Sequence, residues 1–279
     1  MHVLQNPGHE NGLVPSPIDV RDFTIAKSVK SEEFPKEFVL DLIPVKNQYA
    51  TPSCAAFAGS EIVEYFNQTQ KKNYVEFSTE FIYGTRKHGY YIGDGMSLRD
   101  VCNTLLCYGD VPVADMVGNH DYELAMANVA AREKELIDIA FPNRVSAYFK
   151  LETEEEMKHA LMEYGYLLVN MNTYEGAYVS KDGIYVYDAE KPHGSHAVVL
   201  YGWNDTGWLM QNSWGIGWGK QGRCVIPYGF KFNEVWGLSD NIIEDGEFRS
   251  PFSGRFIGFI ARIINVITNL FRRKRRNSK

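Results

Sequence analysis

The stretch Ser195-His196-Ala197-Val198-Val199-Leu200-Tyr201-Gly202-Trp203, followed shortly by Trp208-Leu209-Met210-Gln211-Asn212-Ser213-Trp214-Gly215-Ile216-Gly217-Trp218-Gly219, decides how this chain is read. Two short apolar runs, 197–203 and 208–211, are rich in Val, Leu and aromatics and lie between glycines and polar residues, which predicts strands. His196 opens the first predicted strand and Asn212 closes the second. Adjacent strand ends can bring an imidazole and a carboxamide together, and the amide oxygen can then hold one ring tautomer.

Far upstream, Cys54 opens a predicted helix over 54–68, with Phe57, Ile62, Val63, Tyr65 and Phe66 as apolar positions and no interior proline. Ser53 is the expected N-cap, and Pro52 stops the chain ahead of it. A thiol attacks as thiolate, and a helix N-terminus or an imidazolium partner favours that form. A lone cysteine on an apolar helix is ordinarily core. Gln48, six residues earlier, changes that expectation. Its side-chain amide can donate to a developing oxyanion together with the Cys54 backbone N–H.

These segments carry a resemblance. Val45-Lys46-Asn47-Gln48 and then Ser53-Cys54 resemble the nucleophile segment of papain-like cysteine peptidases. His196-Ala197-Val198 with Gly202 is similar to that family's histidine strand, and 212–219 with Gly222 resembles its asparagine segment. The order Gln, Cys, His, Asn agrees, and the similarity runs over about 34–230. The resemblance implies that Cys54 attacks a peptide carbonyl, His196 protonates the leaving amine, Asn212 orients His196, Gln48 binds the oxyanion and Trp214 shields the His196–Asn212 contact. It also implies a substrate groove lined by Gly93-Asp94-Gly95-Met96, a stretch that otherwise reads as an ordinary turn before a helix, and by Ala197; an acid at Asp94 could there select basic or polar substrates, or serve only the turn. The implied partner is a polypeptide substrate, and no metal or organic cofactor is called for. A thiol amidase or acyl transferase acting on a non-protein amide such as cell wall, or a catalytically silent binding module, would keep the same residues.

The chain departs from the family at three positions. Thr51 stands where a disulfide-bonded cysteine is usual, Pro52 where a glycine is, and Ala55 where an aromatic follows the nucleophile. A long helical pro-domain like that of lysosomal relatives is not expected, because residues 11–23 resemble the short leader of bacterial and phage-like members.

The remaining sequence fits this frame. Helices are predicted over 97–108, closed by Gly109, over 122–140 and over 154–164, with strands over 167–171, 183–187 and 223–227. Helices first and strands later imply an α+β protein of two segregated lobes; the resemblance implies that this is the papain-like fold, a helical lobe and a strand-rich, barrel-like lobe with the cleft between them. We divide the chain into an N-terminal arm, 1–33, a peptidase domain, 34–245, and a tail, 246–279. Four scattered cysteines without a CxxC pair suggest reduced thiols in a cytoplasm-like compartment and no zinc site. The first thirty residues lack a basic start followed by an apolar run, so no secretory signal is expected.

Charge is unevenly spread. The chain totals −6, yet from Arg249 onward there are nine Lys or Arg and no acid, so the preceding residues carry −15. The apolar segment 256–271, as a helix of about 24 Å, is short for a bilayer core. With Arg262 near its middle and five basic residues at 272–276, the segment 255–276 suits an anionic membrane surface or a protein partner. Nucleic acid is not expected, because the acidic body would oppose it.

Overall fold

The computed structural model describes residues 13–17, 34–88, 94–116 and 121–240. The tail, most of the arm and Gly93 lie outside the described residues.

The chain enters through β1 (Phe38–Val39) and reaches α1 (Cys54–Lys71). Ser53 stands at the N-cap position but does not cap: its side chain makes no cap hydrogen bond, and its hydroxyl lies 2.9 Å from Thr51 Oγ1. Three more segments build the helical lobe: α2 (Thr79–Gly84), a 3₁₀ turn (Thr85–His88) and α3 (Leu98–Cys107). Ser78 and Ser97 do cap, accepting from the N–H groups of Phe81 and Asp100. Gly59 lets α1 approach α3, since a Cβ there would sit 2.3 Å from Val101 Cγ1.

The single helix predicted over 122–140 is two, α4 (Tyr122–Ala131) and α5 (Glu133–Ala140). The break falls at Arg132, whose φ of −117° and ψ of 20° leave the helical region. Its guanidinium bonds Glu135 Oε1 at 2.5 Å and also reaches the Asp115 carbonyl.

After a second 3₁₀ turn (Phe141–Asn143) come β2 (Ala147–Lys150) and α6 (Glu154–Glu163), opened by a capping box between Thr153 and Glu156. The strand lobe follows: β3 (Leu167–Tyr174), β4 (Tyr178–Val179), β5 (Tyr185–Val186), β6 (Pro192–Trp203), β7 (Gly207–Gln211), β8 (Arg223–Pro227) and β9 (Glu234–Ser239). The main sheet runs β2-β9-β3-β6-β7-β8, with β1 paired to β6, and these pairings are antiparallel. Helices and sheet together make the expected α+β fold.

β6 explains why its sequence is a continuous apolar run. Ala197, Val199 and Tyr201 belong to the core shared with α1 and α3, whereas Val198, Leu200 and Trp203 belong to a second core with Trp208 and Met210. Alternation runs from Ala197 to Tyr201, and the register shift between Leu200 and Gly202 turns Trp203 to the second core; both faces are covered, so neither can be polar. The sheet therefore lays the strand bearing His196 against the helix bearing Cys54.

Candidate active site

Cys54 begins α1 and is 2% exposed. Its thiol faces the backbone of Ala197, the residue after His196. The loop ahead of α1 is stitched to the chain beyond β7: Gln48 N–H donates to Ser213 O at 2.8 Å, and Gly215 N–H donates to Lys46 O at 2.9 Å. Ser213 Oγ then donates to Gln48 Oε1 at 2.6 Å, which fixes the amide's orientation. Gln48 Nε2 points the other way and donates one hydrogen to Thr51 O at 2.9 Å. An NH₂ group carries two donors, so the second is uncommitted. Thr51 closes this turn through its hydroxyl, which donates to Gln48 O. At the position where the resembled family places a disulfide, hydrogen bonds hold the loop.

His196 does not open its strand, as expected from sequence, but lies four residues inside β6. Asn212 follows the last residue of β7. Their side chains meet at 2.8 Å, His196 Nε2 to Asn212 Oδ1. Ser213 N–H also donates to Asn212 Oδ1 at 2.8 Å, so that atom must be the oxygen. It follows that Nε2 is the protonated nitrogen and Nδ1 carries the lone pair. Trp214 stacks on the imidazole with centroids 4.5 Å apart and planes 24° apart, and Trp218 meets Trp214 edge-on. Asn212 Nδ2 is buried without a partner, so the oxygen alone engages neighbours.

Burial dominates the electrostatics. It pushes the Cys54 thiol up to about 11, against the lowering effect of backbone hydrogen bonds. It pushes His196 down to about 4, partly offset by the bond to Asn212. The thiol and the imidazole are thus both neutral, and the imidazole's base nitrogen is free of the Asn212 bond.

Ahead of α3, Asp94 is exposed, Gly95 adopts φ of 93°, and Met96 is buried. Gly95 N–H donates to the Tyr83 hydroxyl at 3.1 Å. Sequence reasoning missed what lies along this segment. Leu13 pairs with Met96 in a parallel bridge, Val14 N–H donates to Met96 O, and Leu13 is only 5% exposed. Beyond it, Ser16 N–H donates to Glu234 Oε1 at 2.8 Å, Arg99 N–H to Ser16 Oγ, and the Arg99 guanidinium to Pro17 O. Residues 13–17 therefore run from the helical lobe to the sheet lobe. The sequence offers little to single it out, since Leu13-Val14 is one of several apolar positions in the arm, with Val3-Leu4, Ile18, Val20, Phe23, Ile25 and Val29.

Among the described residues no group of His, Cys, Asp and Glu has the arrangement to hold a metal ion, and no helix is long and apolar enough to cross a membrane.

Residues 35–235 match the sequence model of the papain family cysteine proteases. A gut-specific cysteine proteinase of Caenorhabditis elegans is 34% identical over 89 residues, which is 30% of this chain and 27% of that protein. Human cathepsin O is 31% identical over 102 residues, 35% of this chain and 30% of the relative. These matched stretches span less than a third of the curated relatives. Among solved structures, xylellain, a cysteine protease from Xylella fastidiosa, superposes with a TM-score of 0.70 at 18% identity, covering 86% of this chain and 100% of that one. That likeness speaks for the fold.

Proposed function

The chain belongs to the papain family of cysteine proteases, and from that premise we propose that it hydrolyses peptide bonds with Cys54 as nucleophile, His196 as base and then acid, Asn212 as orienter and Gln48 as oxyanion donor. The observation that carries this reading is the fixed tautomer: the Asn212 oxygen holds the proton on Nε2 and leaves Nδ1 as the base, on the residue next to the thiol's contact.

The Sγ proton passes to Nδ1 as sulfur attacks the carbonyl carbon, and the carbonyl π pair moves to oxygen. The oxyanion accepts from the Cys54 N–H and the second Gln48 amide hydrogen. The C–N bond then breaks, His196 gives its proton to the departing amine, and a thioester remains. Water, deprotonated by His196, attacks that thioester, and C–S cleavage returns the thiol. Gly95, Met96 and Ala197 are proposed to line the groove, with Asp94 at its rim and Trp214 over the histidine. No cofactor enters any step.

An epoxide thiol-peptidase inhibitor tests the assignment. Mass spectrometry should find the adduct on Cys54 and none on Cys102, Cys107 or Cys224. A folded protein that stays unlabelled, or labels elsewhere, would favour the silent binding module.

The contacts of residues 13–17 support a second element of the proposal: these residues lie along the groove and obstruct it. A chain beginning at Phe34 should cleave a fluorogenic peptide several-fold faster than the full chain, and equal rates would remove that role. The basic segment 255–276 is assigned by composition to an anionic membrane surface. The full chain should co-sediment with anionic vesicles, and residues 1–248 should not.

A further inference from the structure

Three strands of the main sheet meet in register beside the groove. Val198, Val169 and Val235 pair across β6, β3 and β9 and belong to the second core. The adjacent row is Ala197, Asn170 and Glu234, paired in the same way. Directly opposed residues share a face, and so do residues two apart on a strand. These three therefore lie on the side of Val199, Leu168 and Trp236, in the core that also holds Cys54, Met96 and Leu13. That row carries an amide and an acid where its neighbour is all valine. Asn170 Oδ1 accepts from Ser195 Oγ at 2.8 Å and from Asn233 Nδ2 at 3.2 Å. Glu234 is half-buried. Its Oε2 accepts from Trp236 Nε1 at 3.1 Å and its Oε1 from the Ser16 N–H at 2.8 Å. Among the described residues no cation pairs with it: Arg99 lies over the Trp236 ring and donates to Pro17 O, and Lys150 stands opposite Trp236, one row away.

We infer that Glu234 is a specificity-determining residue, which takes a Lys or Arg side chain of the polypeptide substrate at the far end of the row begun by Ala197. The inference rests on the peptidase reading above. Neighbouring strands lie about 4.8 Å apart, so Glu234 stands about 10 Å from Ala197. Residues 13–16 lead from Met96 to Glu234, and three residues of extended chain also span about 10 Å. Only a long side chain reaches the acid from a backbone held at Met96 and Ala197. A leucine in the same place would lie against the Asn170 amide and leave Glu234 Oε1 without a donor, which is unfavourable. The Ser16 N–H shows that a chain lying along the groove does supply a donor to Oε1. A substrate cation in place of that amide adds an opposite charge. Asp94, by contrast, is exposed, where solvent and salt weaken any pair it forms.

The experiment gives the full-length chain internally quenched peptides under reducing conditions, varied among Arg, Lys, Leu and Glu at each position near the cut. At one position the wild type should show kcat/KM at least tenfold higher for Arg or Lys than for Leu. Glu234→Gln should remove that advantage and leave the Leu peptide within twofold, which also shows that the variant is folded. Glu234→Lys should turn the preference toward Glu. No basic preference at any position, or one that persists in Glu234→Gln, overturns the inference. So does a preference lost in Asp94→Asn and kept in Glu234→Gln, since the selecting acid is then Asp94. If no form cleaves any peptide, the peptidase reading fails, and calorimetry with the same peptides judges Glu234 by itself. The wild type should then bind the Arg peptide more tightly than the Leu peptide, and Glu234→Gln should bind the two equally. Equal binding of the two by the wild type, or binding of neither, counts against the inference.

Discussion

Gln48 shows how much of this site depends on single atoms. Its Oε1 is held by the Ser213 hydroxyl and one Nε2 hydrogen by the Thr51 carbonyl, so the remaining donor is aimed before any substrate arrives. A preorganised donor in a dry site contributes most in the transition state, and losing one costs about 10²–10³ in rate. Gln48→Ala should therefore lower kcat by about that factor in steady-state peptide cleavage, with KM little changed; an undiminished kcat would remove Gln48 from the site. At this scale the sequence was most legible. Cys54, His196, Asn212 and Gln48 were readable as a set because their types and chain order recur together. The partners that orient them were not. Ser213 and Thr51 became visible only once the loop before α1 was paired with the chain after β7, a contact spanning 165 residues between Gln48 and Ser213.

Elements were legible where local pattern and tertiary demand agreed. β8 falls where it was predicted, and α6 ends within a residue of expectation, its start written in the Thr153–Glu156 capping box. The expectations that failed were local readings overruled by packing. Helix 122–140 breaks at Arg132, and β6 extends upstream through the polar residues 192–195 because β3 supplies a paired neighbour there. Strands β2 and β9 escaped notice because their mutual pairing is long-range. The approach of α1 to α3 is likewise a tertiary fact carried by one glycine. Gly59→Ala places a Cβ against Val101 and should destabilise by about 1–3 kcal/mol, as overpacking does. Chemical denaturation checks this, and Val101→Ala in the same chain should recover part of the loss.

For the whole molecule, buried ionisable groups set the response to pH. Folding raises Glu61 from the usual carboxylate range to about 8, so the folded state holds a proton that the unfolded chain releases. Its stabilising contribution is complete below about 4.5 and is lost as pH rises through 8. His196 works in the opposite sense. Its folded value is depressed to about 4, so its contribution is complete above about 6.5 and is lost as pH falls toward 4. The two slopes oppose each other between about 4.5 and 6.5, and Glu61 alone of this pair acts between 6.5 and 8. The thermal midpoint should fall over pH 6.5–8, and Glu61→Gln should flatten that fall; an unaltered slope would show that other groups govern it. None of this could be read from the chain, where Glu61 is one acid among many. Only the fold puts it in a dry interior with Glu64.

The central claim, that this chain is a working thiol peptidase, is tested most directly by cleavage of a fluorogenic peptide library under reducing conditions, with Cys54→Ala measured alongside. The account predicts cleavage by the wild type, faster when residues 1–33 are removed, and none by Cys54→Ala in either form. Cleavage that survives in Cys54→Ala, or its absence from a folded wild type with and without the arm, would contradict it.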